Sequence, residues 1–122
     1  MIFLKQISKS MDCNSIFECF FGLNSQDVRV YFALLDGLEK VEDLSSALGK
    51  KEISVYRSLQ KLMIAGLAYR EKKMLPGGGY YFVYKAMPKE FVAREIESLM
   101  NSFCEQVRIF LRDFLADRSS QL

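Results

Sequence analysis

The sequence predicts a mainly α-helical fold with one small β-hairpin, of the α+β class, and three observations carry that reading. Four stretches with apolar residues at helical spacing each stop at a glycine, at Gly22, Gly37, Gly49 and Gly66. Between Leu67 and Ala86 the period changes from helical to alternating, broken only by Leu75-Pro76-Gly77-Gly78-Gly79. After Pro88 a long apolar stripe begins, at intervals of three and four residues.

Taken in order, residues 1–11 mix Ile2, Phe3, Leu4 and Ile7 with Lys and Ser at no clear period, which predicts an N-terminal arm, mobile or docked on a partner. A short helix follows from about Asn14 to Phe21. Asn24 suits an N-cap, and Asp27 three residues on completes a capping-box variant. Behind it Val28, Tyr31, Phe32, Leu34 and Leu35 form a helical stripe that stops near Gly37. Val41–Leu48 is a second, shorter helical segment, closed by Gly49.

Residues 52–65 predict a third helix of this group. Val55, Leu59, Leu62 and Met63 make its apolar stripe, and Ser54, Arg57, Ser58 and Lys61 are assigned to the opposite face. Leu67–Lys73 and Tyr80–Ala86 are the two strands, and alternation places about half of the aromatic run Tyr80–Tyr84 in the core. Pro88 suits the first turn of a last helix, running to about Ala116 and roughly 40 Å long at 1.5 Å per residue. Along it Val92, Ile96, Leu99, Phe103, Val107, Phe110 and Phe114 are spaced 4, 3, 4, 4, 3, 4. A domain of this size does not cover such a stripe alone, so the stripe predicts a homodimer seam. Residues 118–122 are a tail.

Composition narrows the function. The 122 residues make one domain, and 50% apolar with 26% charged is an ordinary globular balance. No run approaches the roughly 20 apolar residues of a membrane span. The start of the chain, with only Ile2–Leu4 as a hydrophobic run, predicts no secretion signal. There is no histidine, which removes Ser-His and Cys-His catalysis and histidine-ligated zinc. Cys13, Cys19 and Cys104 form no C-x-x-C pair and are expected as buried small hydrophobes in a cytoplasmic, reducing setting, with a redox switch as the less favoured role. Neither a cofactor nor a metal is predicted, and no acid/base pair suggests an enzyme.

The formal net charge of +2 conceals a split. From Lys50 to Lys85 eight basic side chains stand against Glu52 and Glu71, a net of +6, so the rest of the chain carries −4. Such asymmetry points to a polyanion-binding face if one structural unit holds it.

The order of elements supplies that unit. Helix, short helix, helix and two-stranded hairpin is the order of a winged helix-turn-helix, with Val41–Leu48 as its first helix, Gly49–Lys51 as the turn and Glu52–Ala65 as the recognition helix. A recognition helix buries one stripe and offers small polar and basic side chains to a major groove about 12 Å wide. Ser54, Arg57, Ser58 and Lys61 are of that kind, with Lys50 and Lys51 at the helix start, where backbone N–H groups also favour phosphate. On the wing Arg70, Lys72 and Lys73 lead to Gly77, Gly78 and Gly79, whose lack of a Cβ allows close approach to a sugar-phosphate backbone. The triplet is not a phosphate-binding loop of the nucleotide-binding kind, because no Gly-Lys-Ser/Thr follows it.

At several of these residues the sequence resembles a known family. Gly22-Leu23-Asn24, Val30-Tyr31-Phe32-Ala33-Leu34, Val55-Tyr56, Gly66-Leu67 and Tyr80-Tyr81-Phe82-Val83-Tyr84-Lys85-Ala86 look like the TrmB-like winged-helix transcription regulators of archaea. More distantly, Leu62 to Leu67 resembles the end of the recognition helix in MarR-type regulators. The resemblance covers about residues 20–90 and implies a DNA-binding dimer that controls transcription. Carried over by position, Ile53, Ser54, Tyr56 and Arg57 fall where such regulators place base-facing residues. Lys51 departs from the family's frequent proline, and Glu52 brings a negative charge to the expected DNA surface. Larger relatives carry a separate C-terminal sugar-binding domain, and the resemblance here implies no sugar sensing.

The expected organisation is therefore an arm (1–11), a winged helix-turn-helix domain (12–87), a C-terminal dimerisation helix (88–117) and a tail (118–122). The expected partners are double-stranded DNA and a second copy of the chain, with no membrane and no effector assigned. Glu52 and the modest total charge leave one alternative, a winged-helix module that binds protein without reading DNA.

Overall fold

A computed structural model describes residues 13–116, and the expected arm and tail fall outside the described residues. The chain divides into two compact units between Pro88 and Lys89. The first unit is a winged helix-turn-helix, built from α1 (Cys13–Phe21), α2 (Ser25–Leu35), α3 (Val41–Leu48), α4 (Glu52–Ile64) and an antiparallel hairpin of β1 (Ala68–Met74) and β2 (Tyr80–Ala86). The second unit is α5 (Lys89–Leu115).

In α1 the Phe17 side chain is buried, with its ring centroid 5.8 Å from that of Tyr31. Cys19 lies two residues further on, about 200° round the helix, and is exposed. The expectation that it is a buried hydrophobe is corrected by that rotation. Cys104, on α5, is half-buried.

The start of α2 is a reciprocal capping box. Asn24 Oδ1 accepts the backbone N–H of Asp27 at 2.9 Å, and Asp27 Oδ2 accepts the N–H of Asn24 at 2.9 Å. Two N–H groups that the helix itself leaves without partners are thereby satisfied, and losing such a cap costs about 1 kcal/mol. The apolar face that follows buries Val28, Val30, Tyr31 and Leu34. Against it α3 contributes Leu44, and α4 contributes Val55, Leu59 and Leu62. Truncating a fully buried leucine such as Leu59 to alanine should cost roughly 2–5 kcal/mol.

Gly66 ends α4 with φ +80°. Its N–H bonds the Met63 carbonyl at 3.0 Å, and the Leu67 N–H bonds the Leu62 carbonyl at 2.9 Å. This double bond pattern is a Schellman motif, which needs a left-handed residue and so favours glycine. Because the Leu67 N–H is taken by the helix, the strand starts at Ala68, one residue later than its pattern predicts.

The hairpin pairs Ala68 with Ala86 at its base and Met74 with Tyr80 at its tip. The tip is closed by Leu75, whose N–H bonds the Gly79 carbonyl at 3.0 Å and whose carbonyl accepts the Gly78 N–H at 3.1 Å. Gly78 and Gly79 have φ of +98° and +84°, a region that residues with a Cβ rarely enter. At the base, the Tyr84 N–H bonds the Glu39 carbonyl at 2.8 Å, the Met87 N–H bonds the Leu67 carbonyl at 2.8 Å, and the Tyr31 hydroxyl donates to the Met87 carbonyl at 2.8 Å. Val83 and Tyr84 are neighbours on opposite strand faces, yet both are buried, so simple alternation fails there.

Lys85 Nζ lies 2.8 Å from Glu39 Oε1 and 3.8 Å from Glu71 Oε1. The hydrogen bond from Lys85, and then its charge, holds the Glu39 carboxyl below its ordinary value. The same two causes, with Glu39 as partner, raise Lys85.

Along α5, Leu99, Phe103, Val107, Phe110 and Phe114 are exposed, and so are Met100, Leu111 and Leu115. Val92 is already buried in the single chain and Ile96 is half-buried. Val92 is therefore withdrawn from the expected seam, which narrows to its C-terminal part. Pro88 precedes the first helical residue rather than occupying the first turn. Among the described residues no helix is long and apolar enough to cross a membrane.

Candidate nucleic-acid interface

The helix-turn-helix closes on Ser45. Its carbonyl accepts the Lys50 N–H at 3.2 Å, and its hydroxyl donates to the Lys50 carbonyl. Lys51 is the N-cap of α4, in an extended conformation and without a side-chain cap. The first-turn N–H groups of α4 thus keep their donor capacity beside two exposed lysines, Lys50 and Lys51.

The roll of α4 about its axis is set from α2. Gln26 Nε2 donates to Ser54 Oγ at 2.8 Å and to Ser58 Oγ at 3.1 Å, with the Ser54 carbonyl at 3.3 Å. Lys61 Nζ lies 2.5 Å from Asp27 Oδ2, and the Asp27 carboxylate is buried. Ser54, Ser58 and Lys61 are spaced four and three apart, so they form one row on the helix. That row faces the first turn of α2.

This corrects the expected outer face. Ser58 is only 2% exposed and cannot reach a ligand. Ser54 is half-buried and already bonded. Lys61 is partly exposed, but its ammonium is committed to Asp27. The row turned outward is Ile53, Arg57 and Ile64, with Gln60 half-buried between the last two. Arg57 forms no ion pair among the described residues. Tyr56, at the flank of this row, lines an open groove with Lys40, whose ammonium sits 4.9 Å from the Tyr81 ring centroid.

The register of the hairpin sorts the wing cations. Arg70 and Lys72 share a face with Tyr84, Phe82 and Tyr80, because directly paired residues project to the same side. Lys73 projects to the other side, with Glu71 and Lys85. The Arg70 guanidinium lies 4.3 Å from the Phe82 ring centroid, and the Lys72 ammonium 4.1 Å from that of Tyr80. Each such contact is worth about 0.5–1 kcal/mol at an exposed site. Gly77, Gly78 and Gly79 are exposed at the tip.

Sequence reasoning missed Gln26 and Asp27 as the residues that orient α4. The capping box was legible, but the second bond of Asp27 depends on a lysine 34 positions away. Ile64 was missed as well, although its spacing of four, three and four from Ile53 through Arg57 and Gln60 was there to be counted.

Residues 17–90 match the family model described as sugar-specific transcriptional regulator TrmB. The chain belongs to the TrmB family. The TrmB match runs from α1 through the hairpin to the second residue of α5. Among curated proteins the chain is 32% identical over 113 residues to protein MJ1503 of Methanocaldococcus jannaschii, covering 92% of this chain and 86% of that one. Among solved structures it is similar to a possible transcriptional regulator from Methanosarcina mazei Go1, with TM-score 0.71, 25% identity, and 80% and 84% of the two chains covered. The fold is also that of MepR from S. aureus, solved as a DNA complex, at TM-score 0.52 and 18% identity over 96% and 98% of the two chains. As a member of the TrmB family the chain is a winged-helix transcriptional regulator.

Proposed function

We propose that this regulator binds double-stranded DNA sequence-specifically as a homodimer, with α4 in the major groove and the β1–β2 wing on the adjacent backbone. The observation that carries the proposal is the fixed roll of α4, which turns Ile53 and Arg57 outward, with Tyr56 at their flank, while Gln26 and Asp27 hold the neighbouring row of Ser54, Ser58 and Lys61. Arg57 then reads base edges, for which a guanidinium is the best suited side chain. Lys50 and Lys51 at the helix start, and Arg70 and Lys72 on the wing, take phosphate oxygens, and the three tip glycines permit a close approach. Lys73 serves the same polyanion from the other wing face. The likeness in fold to MepR, a protein solved in complex with DNA, supports DNA binding.

Residues 12–87 form the DNA-binding module and 88–117 the dimerisation helix. The seam runs from Ile96 through Leu99, Phe103, Val107 and Phe110 to Phe114. Two protomers then present two recognition helices to half-sites about one helical turn apart, near 34 Å. The function needs no catalytic group.

A gel-retardation titration at low salt against a random duplex pool, followed by sequencing of the retained fraction, tests the reading. Retardation with enrichment of paired half-sites is expected. No retardation at micromolar protein would overturn it in favour of a protein-binding module.

A further inference from the structure

Two features of the wing are not accounted for by phosphate contacts alone. The first is apolar exposure at the tip. Met74 is 70% exposed, Leu75 47% and Tyr80 54%, and Met74 and Tyr80 are directly paired across the strands. Single exposed apolar residues are ordinary, but a contiguous group of three large ones at the end of a projecting hairpin marks a contact surface.

The second is the lean of the cations. Arg70 pairs in register with Tyr84 but sits over Phe82, one step nearer the tip. Lys72 pairs with Phe82 but sits over Tyr80, again one step nearer the tip. Both charges are thereby drawn along one face toward the apolar end. From Lys72 to Phe82 there is no carboxylate.

The tip itself is slender and fixed. Leu75 is bonded at both its N–H and its carbonyl within the turn, and a Cβ on Gly79 would stand 3.7 Å from Leu75 Cδ1. The leucine side chain therefore lies over a glycine instead of beside another side chain. Gly77, Gly78 and Gly79 add no side-chain bulk to the turn.

A narrow apolar end with cations behind it fits a cleft that has anionic rims and an apolar floor. The minor groove of duplex DNA, about 6 Å wide and lined by phosphates, is such a cleft, and side chains such as Met, Leu and Pro can enter the stack from it. We infer that the wing tip is an apolar wedge, with Met74 and Leu75 entering the minor groove and partly unstacking one base step while Arg70 and Lys72 hold its phosphate rims. The inference rests on the DNA-binding reading and goes beyond it, because it assigns the tip a role in deforming the duplex.

The test uses the full chain and the duplex it selects from a random pool, labelled at both ends for energy transfer and carrying 2-aminopurine at successive positions. With wild-type protein the ends should approach, and one position beside the half-site should gain fluorescence as its base unstacks. The Met74→Ser/Leu75→Ser variant should lose both signals and bind about tenfold more weakly. The Lys72→Ala variant should bind more weakly but show the same end-to-end distance at saturation. Both changes are at exposed positions, and an unchanged thermal midpoint checks that the proteins are folded. Retardation without bending, or bending unchanged in the double-serine variant, overturns the wedge. No retardation by wild type overturns the DNA reading itself, and the wedge with it.

Discussion

One carboxylate oxygen of Asp27 serves two partners: Oδ2 lies 2.5 Å from the Lys61 ammonium and accepts the Asn24 N–H at 2.9 Å. The group that starts α2 thus also fixes α4, with Asp27 only 1% exposed. Removing the lysine would leave a buried carboxylate without its cation, a change that costs several kcal/mol when both partners are buried and less here because Lys61 is partly in water. Lys61→Met should therefore destabilise by about 2 kcal/mol in chemical denaturation. The double change Asp27→Asn/Lys61→Met should cost less than the two single changes summed. A loss within the roughly 0.5 kcal/mol of ordinary surface substitutions would show that the pair does not hold the helix.

Arg57 and Ser58 are neighbours in sequence with opposite fates. Arg57→Ala should weaken binding to the selected duplex by about 1–3 kcal/mol and narrow its advantage over random DNA. Ser58→Ala should leave that advantage unchanged while costing stability of about 1 kcal/mol through the lost bond from Gln26. Competition titrations with the two duplexes measure the first, and thermal melts the second. Loss of discrimination on Ser58→Ala would place the row the other way round.

Wing charge should be read out by salt. Lys72→Ala is expected to weaken all duplexes alike and to flatten the slope of log affinity against log salt by about one. A variant slope equal to that of wild type would remove Lys72 from the phosphate contacts.

The exposed stripe of α5 sets a test of assembly. Phe103→Glu and Phe110→Glu should each halve the mass seen by sedimentation equilibrium, since a charge directly within an apolar seam is costly. A wild-type mass equal to that of one chain would contradict the seam without touching the fold of residues 13–88.

The Glu39–Lys85 pair ties the stability of the wing base to pH. A carboxyl held below its ordinary value stabilises above that value, and the contribution fades as pH falls through the lowered one. A lysine raised above its ordinary value stabilises below that value and loses its contribution as pH rises through the raised one. Wild type should therefore melt higher than Glu39→Gln near neutrality, and the two midpoints should converge in acid below the carboxylate range. A difference that persists there would mean that packing, not the ion pair, is responsible.

Much of this fold is written locally. Val41–Leu48 and Tyr80–Ala86 have the bounds their patterns predict, and α4 and β1 shift by one residue where Gly66 imposes its turn. The outer face of α4 was less legible for a physical reason. Serine is small and polar enough to suit either a groove or a buried hydrogen bond, and only Gln26, 28 and 32 positions earlier, decides between them. The lysine at position 61 carries the same ambiguity, since nothing nearby in sequence reveals a buried carboxylate waiting for it. The apolar character of α5 was plain, whereas the burial of Val92 and the exposure of Leu99 are not distinguished by their spacing in the stripe.

Leu67 is bonded in two directions at once. Its N–H closes the end of α4 on Leu62, and its carbonyl accepts the Met87 N–H at the root of the hairpin. The hairpin cannot swing about its root without opening the last turn of the helix. Helix and hairpin are cut as one key rather than joined as a blade to a handle, and any surface that accepts one tooth is presented with the other at a preset distance.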